Sequence, residues 1–124
     1  MLEINKLTVS NNGIIINHEK DIKINEINIH NNENNAIKFI PIDSNSNLNV
    51  HASTFILHQN SKVTINQIDI DTLKVESKGS VKSNNIIARN IEFNALRSSI
   101  DGYSTYAIDG NISGIPESIK IKID

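Results

Sequence analysis

Three stretches of this chain share one eight-residue figure. Leu2 to Val9 reads LEINKLTV, Ile22 to Ile29 reads IKINEINI, and Val63 to Ile70 reads VTINQIDI. Each has apolar residues in the first, third, sixth and eighth places and Asn in the fourth. An overlapping copy, Ile68 to Val75 (IDIDTLKV), carries Asp in that place. Ile86 to Phe93 (IIARNIEF) has Ala88 in the third place, and Tyr106 to Ile112 (YAIDGNI) is a shorter relative. The copies begin near 2, 22, 63, 86 and 106, with none evident in the irregular stretch FIPIDSNSNLNV. The implied period is about 20 to 23 residues, in the range of repeat architectures.

The spacing inside the figure constrains the fold. Side chains of a strand alternate between two faces. The first and third positions therefore share a face, and so do the sixth and eighth, but the parity flips between the pairs. Burying both pairs requires a bend at the fourth and fifth positions. Asn5, Asn25 and Asn66 are thus structural corner residues, and a left-handed backbone is expected there. Two short strands around a corner, repeated along the chain, describe one coil of a β-solenoid. Stacked coils would place corner Asn side chains in a hydrogen-bonded ladder and Ile upon Ile in a narrow core. The expected fold is all-β: a parallel β-helix forming a single domain over 1–124, with coils of about 20 to 23 residues. The alternative is an antiparallel β-sandwich in which each flip is a bulge. A flip at the same place in several copies favours the solenoid.

Composition agrees. The chain holds 25 Ile and 20 Asn, over a third of its 124 residues. Ile favours strands, and Asn favours turns. Polar runs such as SNNG at 10–13, HNNENN at 30–35 and DSNSN at 43–47 fit the loops of each coil. A formal net charge of −2 gives no electrostatic case for nucleic acid, and 4% aromatic residues leave few stacking platforms for bases. There is no cysteine, no secretory signal pattern at the N-terminus, and no apolar run long enough for a membrane span. The expected location is cytoplasmic.

The stretch GSVKSNNIIARNIEF resembles coils of the bactofilin family, the polymer-forming β-helical cytoskeletal proteins of bacteria. Gly79, Val81, Ile86, Ala88, Ile91 and Phe93 take the places of that family's small corner, apolar step, I-x-A step and short strand. The likeness lies within positions 73 to 102. Ser83, Asn84 and Asn85 stand where the family carries Gly and an acidic residue. Positions 99 to 115 also look like the repetitive head domains of bacterial adhesins. The first resemblance implies self-assembly; the second implies a binding surface.

No residues present a catalytic, cofactor-binding or metal-binding motif. His18, His30, His51 and His58 lack zinc-ligand spacing. The separation of His30 and His51 is close to the period, so a stacked pair in neighbouring coils that could bind a metal is one reading, but two loop residues are the expected one. Asp69, Asp71, Glu92, Asp101 and Asp109 invite comparison with polysaccharide-cleaving β-helices, whose chemistry needs paired carboxylates in a cleft, usually beside an arginine or a cation. The only arginines are Arg89 and Arg97, and solvated strand faces account for these acids. DGYST at 101–105 reads as a turn, the Asn111-Ile112-Ser113 triplet is a chance match to the N-glycosylation pattern in an Asn-rich chain, and ALRSSIDG at 95–102 reads as a short helical turn or a further corner. The chain is therefore not expected to be an enzyme.

A solenoid has two ends, each with unpaired backbone groups and an apolar cross-section. Leu2 and Ile4 lie in the first figure. Ile119, Ile121 and Ile123 alternate with Lys120 and Lys122 in the last strand, SIKIKID. These five isoleucine and leucine positions are the expected self-association residues. The leading expectation is a homo-oligomer or polymer built end to end without nucleotide. The second is a binding or adhesion module that recognises a glycan or a protein.

Overall fold

A computed structural model describes residues 1–32, 35–59, 61–76, 80–95, 107–112 and 118–123. Nine strands account for most of them: β1 (Leu2–Ser10), β2 (Ile14–His18), β3 (Ile22–His30), β4 (Asn35–Pro41), β5 (Val50–Leu57), β6 (Lys62–Val75), β7 (Ser80–Ala95), β8 (Ala107–Ile112) and β9 (Ser118–Ile123). The described residues contain no helix. Every pairing among these strands is parallel. This is a β-solenoid of about four turns, and it excludes the antiparallel sandwich.

The parity flip bends the chain as the sequence requires. Over β6 the inward residues are Val63 and Ile65, then Ile68 and Ile70, then Leu73 and Val75. The pairs are separated by the outward couples Asn66–Gln67 and Asp71–Thr72. Two corners therefore lie inside one continuous strand, and each coil has three walls. The first wall sets Leu2 in register with Ile22 and Val50, and Ile68 with Ile86; the pairing of His51 with Asp69 brings Val50 and Ile68 into the same column. The second sets Leu7 in register with Ile27, Phe55, Leu73, Ile91 and Ile119. In the third, Ile14 is in register with Ile37, Ile65 and Ser83. Residues such as Ile24, Ile27, Phe55 and Leu57 are wholly buried. Stiff β-branched side chains repeated in columns fill this narrow core with few rotamer choices.

The frame differs from the expected one. The first wall recurs at Leu2, Ile22, Val50, Ile68 and Ile86. The copy sought in the forties is Val50 to Leu57 (VHASTFIL). The Val63 figure is out of frame: Val63 and Ile65 belong to the third wall, and the overlapping Ile68 copy carries the first. One column runs from Lys6 through Glu26, Thr54, Thr72 and Asn90 to Ser118. The coil-to-coil step is 20 residues from Asn5 to Asn25, 28 residues from Asp21 to Asn49, and 18 residues from Asp71 to Arg89. Averaged along the column, the step falls within the expected range. The unit coil of the middle is nevertheless the shortest of these, and the longer steps carry insertions at corners. One insertion, 42–49, is an excursion held by an Asx turn. There Asn45 N donates to Asp43 Oδ1 (2.9 Å) and Ser46 N to Asp43 O (2.9 Å).

The corner chemistry is also redistributed. Asn25 Nδ2 donates to Asn5 Oδ1 at 3.2 Å, one rung of the expected ladder. Asn66 is not the next rung. It is a corner residue, but it stands between Ile65 (opposite Ser83) and Gln67 (opposite Asn85), in a different column. The column of Asn5 and Asn25 continues through Ser53 and Asp71 to Arg89. Among the described non-glycine residues, positive φ occurs only at Asn11 (61°) and Asn31 (52°). Neither Asn5, Asn25 nor Asn66 is left-handed, because a two-residue outward couple turns the strand without it. The left-handed turn is needed where the chain leaves the second wall for the third. There Asn11 N donates to His30 O (3.1 Å), and the buried Asn32 donates through Nδ2 to Asn12 O. Gly13 follows because a Cβ there would lie 2.9 Å from Ala36 O.

Candidate functional site

Two features of the described surface carry chemistry: a charged cluster on the first wall and the open edge of the first coil. The cluster is a product of the short middle coil. His51, Asp69 and Ile87 occupy one outward column of the first wall, and Asp71 and Arg89 the adjoining corner column. Arg89 Nη1 donates to Asp69 Oδ1 (2.6 Å) and to Asp71 Oδ1 (3.0 Å), and Nη2 donates to Asp69 Oδ2 (3.3 Å). His51 Nε2 lies 3.2 Å from Asp71 Oδ2, and its Nδ1 lies 3.7 Å from Asp69 Oδ1.

The guanidinium hydrogen bonds to Asp69 hold its carboxyl below the ordinary range, against a smaller opposing effect of burial. A carboxylate held ionised by an arginine fork is a poor proton donor, so general-acid chemistry does not suit it. The arrangement joins β5, β6 and β7 across three coils, as an electrostatic staple would. The side chains are about two-fifths exposed, so the staple is worth at most about 1 kcal/mol. Beside it, Asn49, His51, Gln67 and Asp69 converge with Leu48 and Ile87 on a groove of ≈ 190 Å³.

The edge is built differently. β1 pairs only with β3, and β2 only with β4, so one side of each carries backbone groups without a sheet partner among the described residues. Along that side Ile4, Leu7, Ile14 and Ile16 are only partly buried, and Leu2 is 36% exposed. Their column neighbours Ile24, Ile27 and Ile37 are 0% exposed. Glu3, Ile4, Asn5, Lys23 and Asn25 border an open depression of ≈ 380 Å³ at the same end.

The other sequence candidates are placed as follows. Asp69 and Asp71 come together, with Arg89 as the neighbouring arginine. Glu92 stands apart, 4.0 Å from Lys74, and Asp109 in β8 is in register with Lys82. His30 does not meet His51. It stacks on His58 instead, because the insertion at 42–49 lengthens the step between those coils. Ile119, Ile121 and Ile123 lie in β9 in register with Ile91, Phe93 and Ala95. Asp101, DGYST, Gly79, Ser113, Tyr106 and nearly all of ALRSSIDG lie outside the described residues. No group of three or more His, Asp or Glu among the described residues is placed to hold a metal ion. No described helix is long and apolar enough to cross a membrane. No family model, curated protein or solved structure matches the chain.

Proposed function

We propose that this chain is a non-enzymatic structural protein that self-associates end to end into a filament or scaffold. The observation that carries the reading is the first coil, whose strand edge has no sheet partner among the described residues and coincides with the partly exposed apolar columns of Leu2, Ile4, Leu7, Ile14 and Ile16. An occupant of this edge must supply main-chain pairing and apolar columns around three walls at once. A coil of a second copy has that form. Burying the columns at about 25 cal/mol per Å² drives the contact, and the backbone groups fix its register. The resemblance of positions 79–93 to bactofilin coils points the same way.

Negative-stain electron microscopy of the purified chain without nucleotide tests this. Filaments or sheets are expected, and Ile4→Lys or Ile121→Lys should dissolve them. A monodisperse monomer at all concentrations would contradict the proposal.

The groove beside His51 favours a second reading, a binding or adhesion module for a glycan or a protein. Its amide, imidazole and carboxylate groups suit hydroxyls, and Ile87 and Leu48 offer an apolar floor. Under this reading the chain stays a monomer or closed oligomer, and His51→Ala and Gln67→Ala abolish retention on the ligand.

A further inference from the structure

β3 ends on His30, and β5 ends one residue before His58. Ile29 pairs with Leu57, so the two histidines follow each other in one column. Their rings stack with centroids 3.9 Å apart and planes 12° from parallel. His58 Nε2 lies 2.9 Å from Asn28 Oδ1, while Asn28 Nδ2 donates to Glu26 Oε2 at 3.0 Å. An ionised carboxylate only accepts, so the Asn28 amide turns its NH₂ to Glu26 and its oxygen to the imidazole. Neutral His58 must then carry its proton on Nε2. A second proton enters at Nδ1, leaves that hydrogen bond intact, and sets a full charge one ring thickness from His30.

The charged groups facing His58 come from every neighbouring element. His30 and Glu26 lie on β3, Lys6 on β1, and Glu76 just beyond β6. Burial, then the charge of His30, holds His58 below its ordinary value, with Glu76 and Glu26 opposing.

The same histidine anchors the corner of the third coil to the second. His58 N donates to Ile29 O (3.0 Å) and Ser61 N to His58 O (3.2 Å). Ser61 Oγ donates to Ile29 O (3.2 Å) and accepts from Asn31 N (2.8 Å). Separating the rings pulls on all four bonds.

We propose that the stacked pair His30–His58 is an acid-sensitive pin between the second and third coils. With neutral rings the corner is closed; once both rings are charged, repulsion opens the corner from His58 to Ser61. Because His58 is shifted down, its contribution is complete above about pH 6.5 and is lost as pH falls toward its folded value. The pin does not depend on whether the chain polymerises.

Ring-proton NMR titration of His58, with amide exchange at Asn31 and Ser61 corrected for intrinsic rate, tests the pin. His58 is expected to titrate below the ordinary value. His30→Gln removes a repelling charge and should move that midpoint up; Glu76→Gln removes an attracting one and should move it down. Protection at Asn31 and Ser61 should fall about tenfold or more between about pH 7.5 and pH 5 in the native chain, and not in His30→Gln. An unmoved midpoint in His30→Gln, or the same acid loss of protection there, would overturn the proposal. Should that variant not fold, Glu76→Gln alone decides, and a midpoint that does not fall contradicts the pin.

Discussion

At the scale of single residues, the fold depends on a few positions where backbone or charge allows little choice. Asn31 has φ 52°, which a β-branched side chain tolerates poorly. Asn31→Val should cost about 1–2 kcal/mol in denaturant unfolding, and Asn31→Gly much less. Asp69 owes its lowered pKa to Arg89. Its contribution to stability is therefore present above the unfolded value, about 3.9, and lost as pH falls through the folded one. Arg89→Gln should flatten the stability–pH profile below about pH 4 while costing at most about 1 kcal/mol at pH 7; an unchanged acid limb would show that the pair is not coupled. The charged cluster is legible in the sequence only once the coil length is known. Asp71 and Arg89 are separated by the short middle step, and the longer period inferred from the repeated figure hides their pairing. The same slip conceals His30 and His58, whose separation spans the insertion at 42–49.

At the scale of the element, each wall is a pair of inward residues, and each corner inside a continuous strand is an outward couple. This is readable from the parity flip in LEINKLTV and IKINEINI, which implies both the solenoid and its inward faces. The frame is harder to read. β6 offers two overlapping copies of the figure, and Asn66 imitates the corner Asn of the wrong one. Val50 to Leu57 is obscured because Ala52 and Ser53 replace the expected Ile and Asn. The chain has no cysteine of its own, so the frame can be tested by cross-linking. Asn25→Cys with Ser53→Cys lies on neighbouring parallel strands and should oxidise readily, whereas Asn25→Cys with Asn66→Cys should not. The reverse result would restore the figure at Val63 to the first wall. Phe55 fills the second wall with 0% exposure, so Phe55→Ala should cost about 3–5 kcal/mol. Ile15 faces outward at 66% exposure, and Ile15→Ala should be near neutral by the same unfolding assay.

At the scale of the whole molecule, the solenoid is a stack whose core continues as long as another coil is supplied. Among the described side chains, its interior columns are buried from the second coil as far as Ile91 in β7 and, Val9 apart, partly exposed at the first coil. The proposed end-to-end association would cover the partly exposed Leu2, Ile4, Leu7, Ile14 and Ile16. Burial of that cross-section is apolar and salt-tolerant, so assembly should persist at high ionic strength, unlike contacts made through the charged cluster. End-to-end assembly is tested by sedimentation velocity across a concentration series, on the native chain and on Leu7→Lys. The native chain should sediment as growing assemblies, and Leu7→Lys as a folded monomer. A native chain that sediments as one small species at every concentration, or a Leu7→Lys variant that assembles as readily as the native chain, would contradict it.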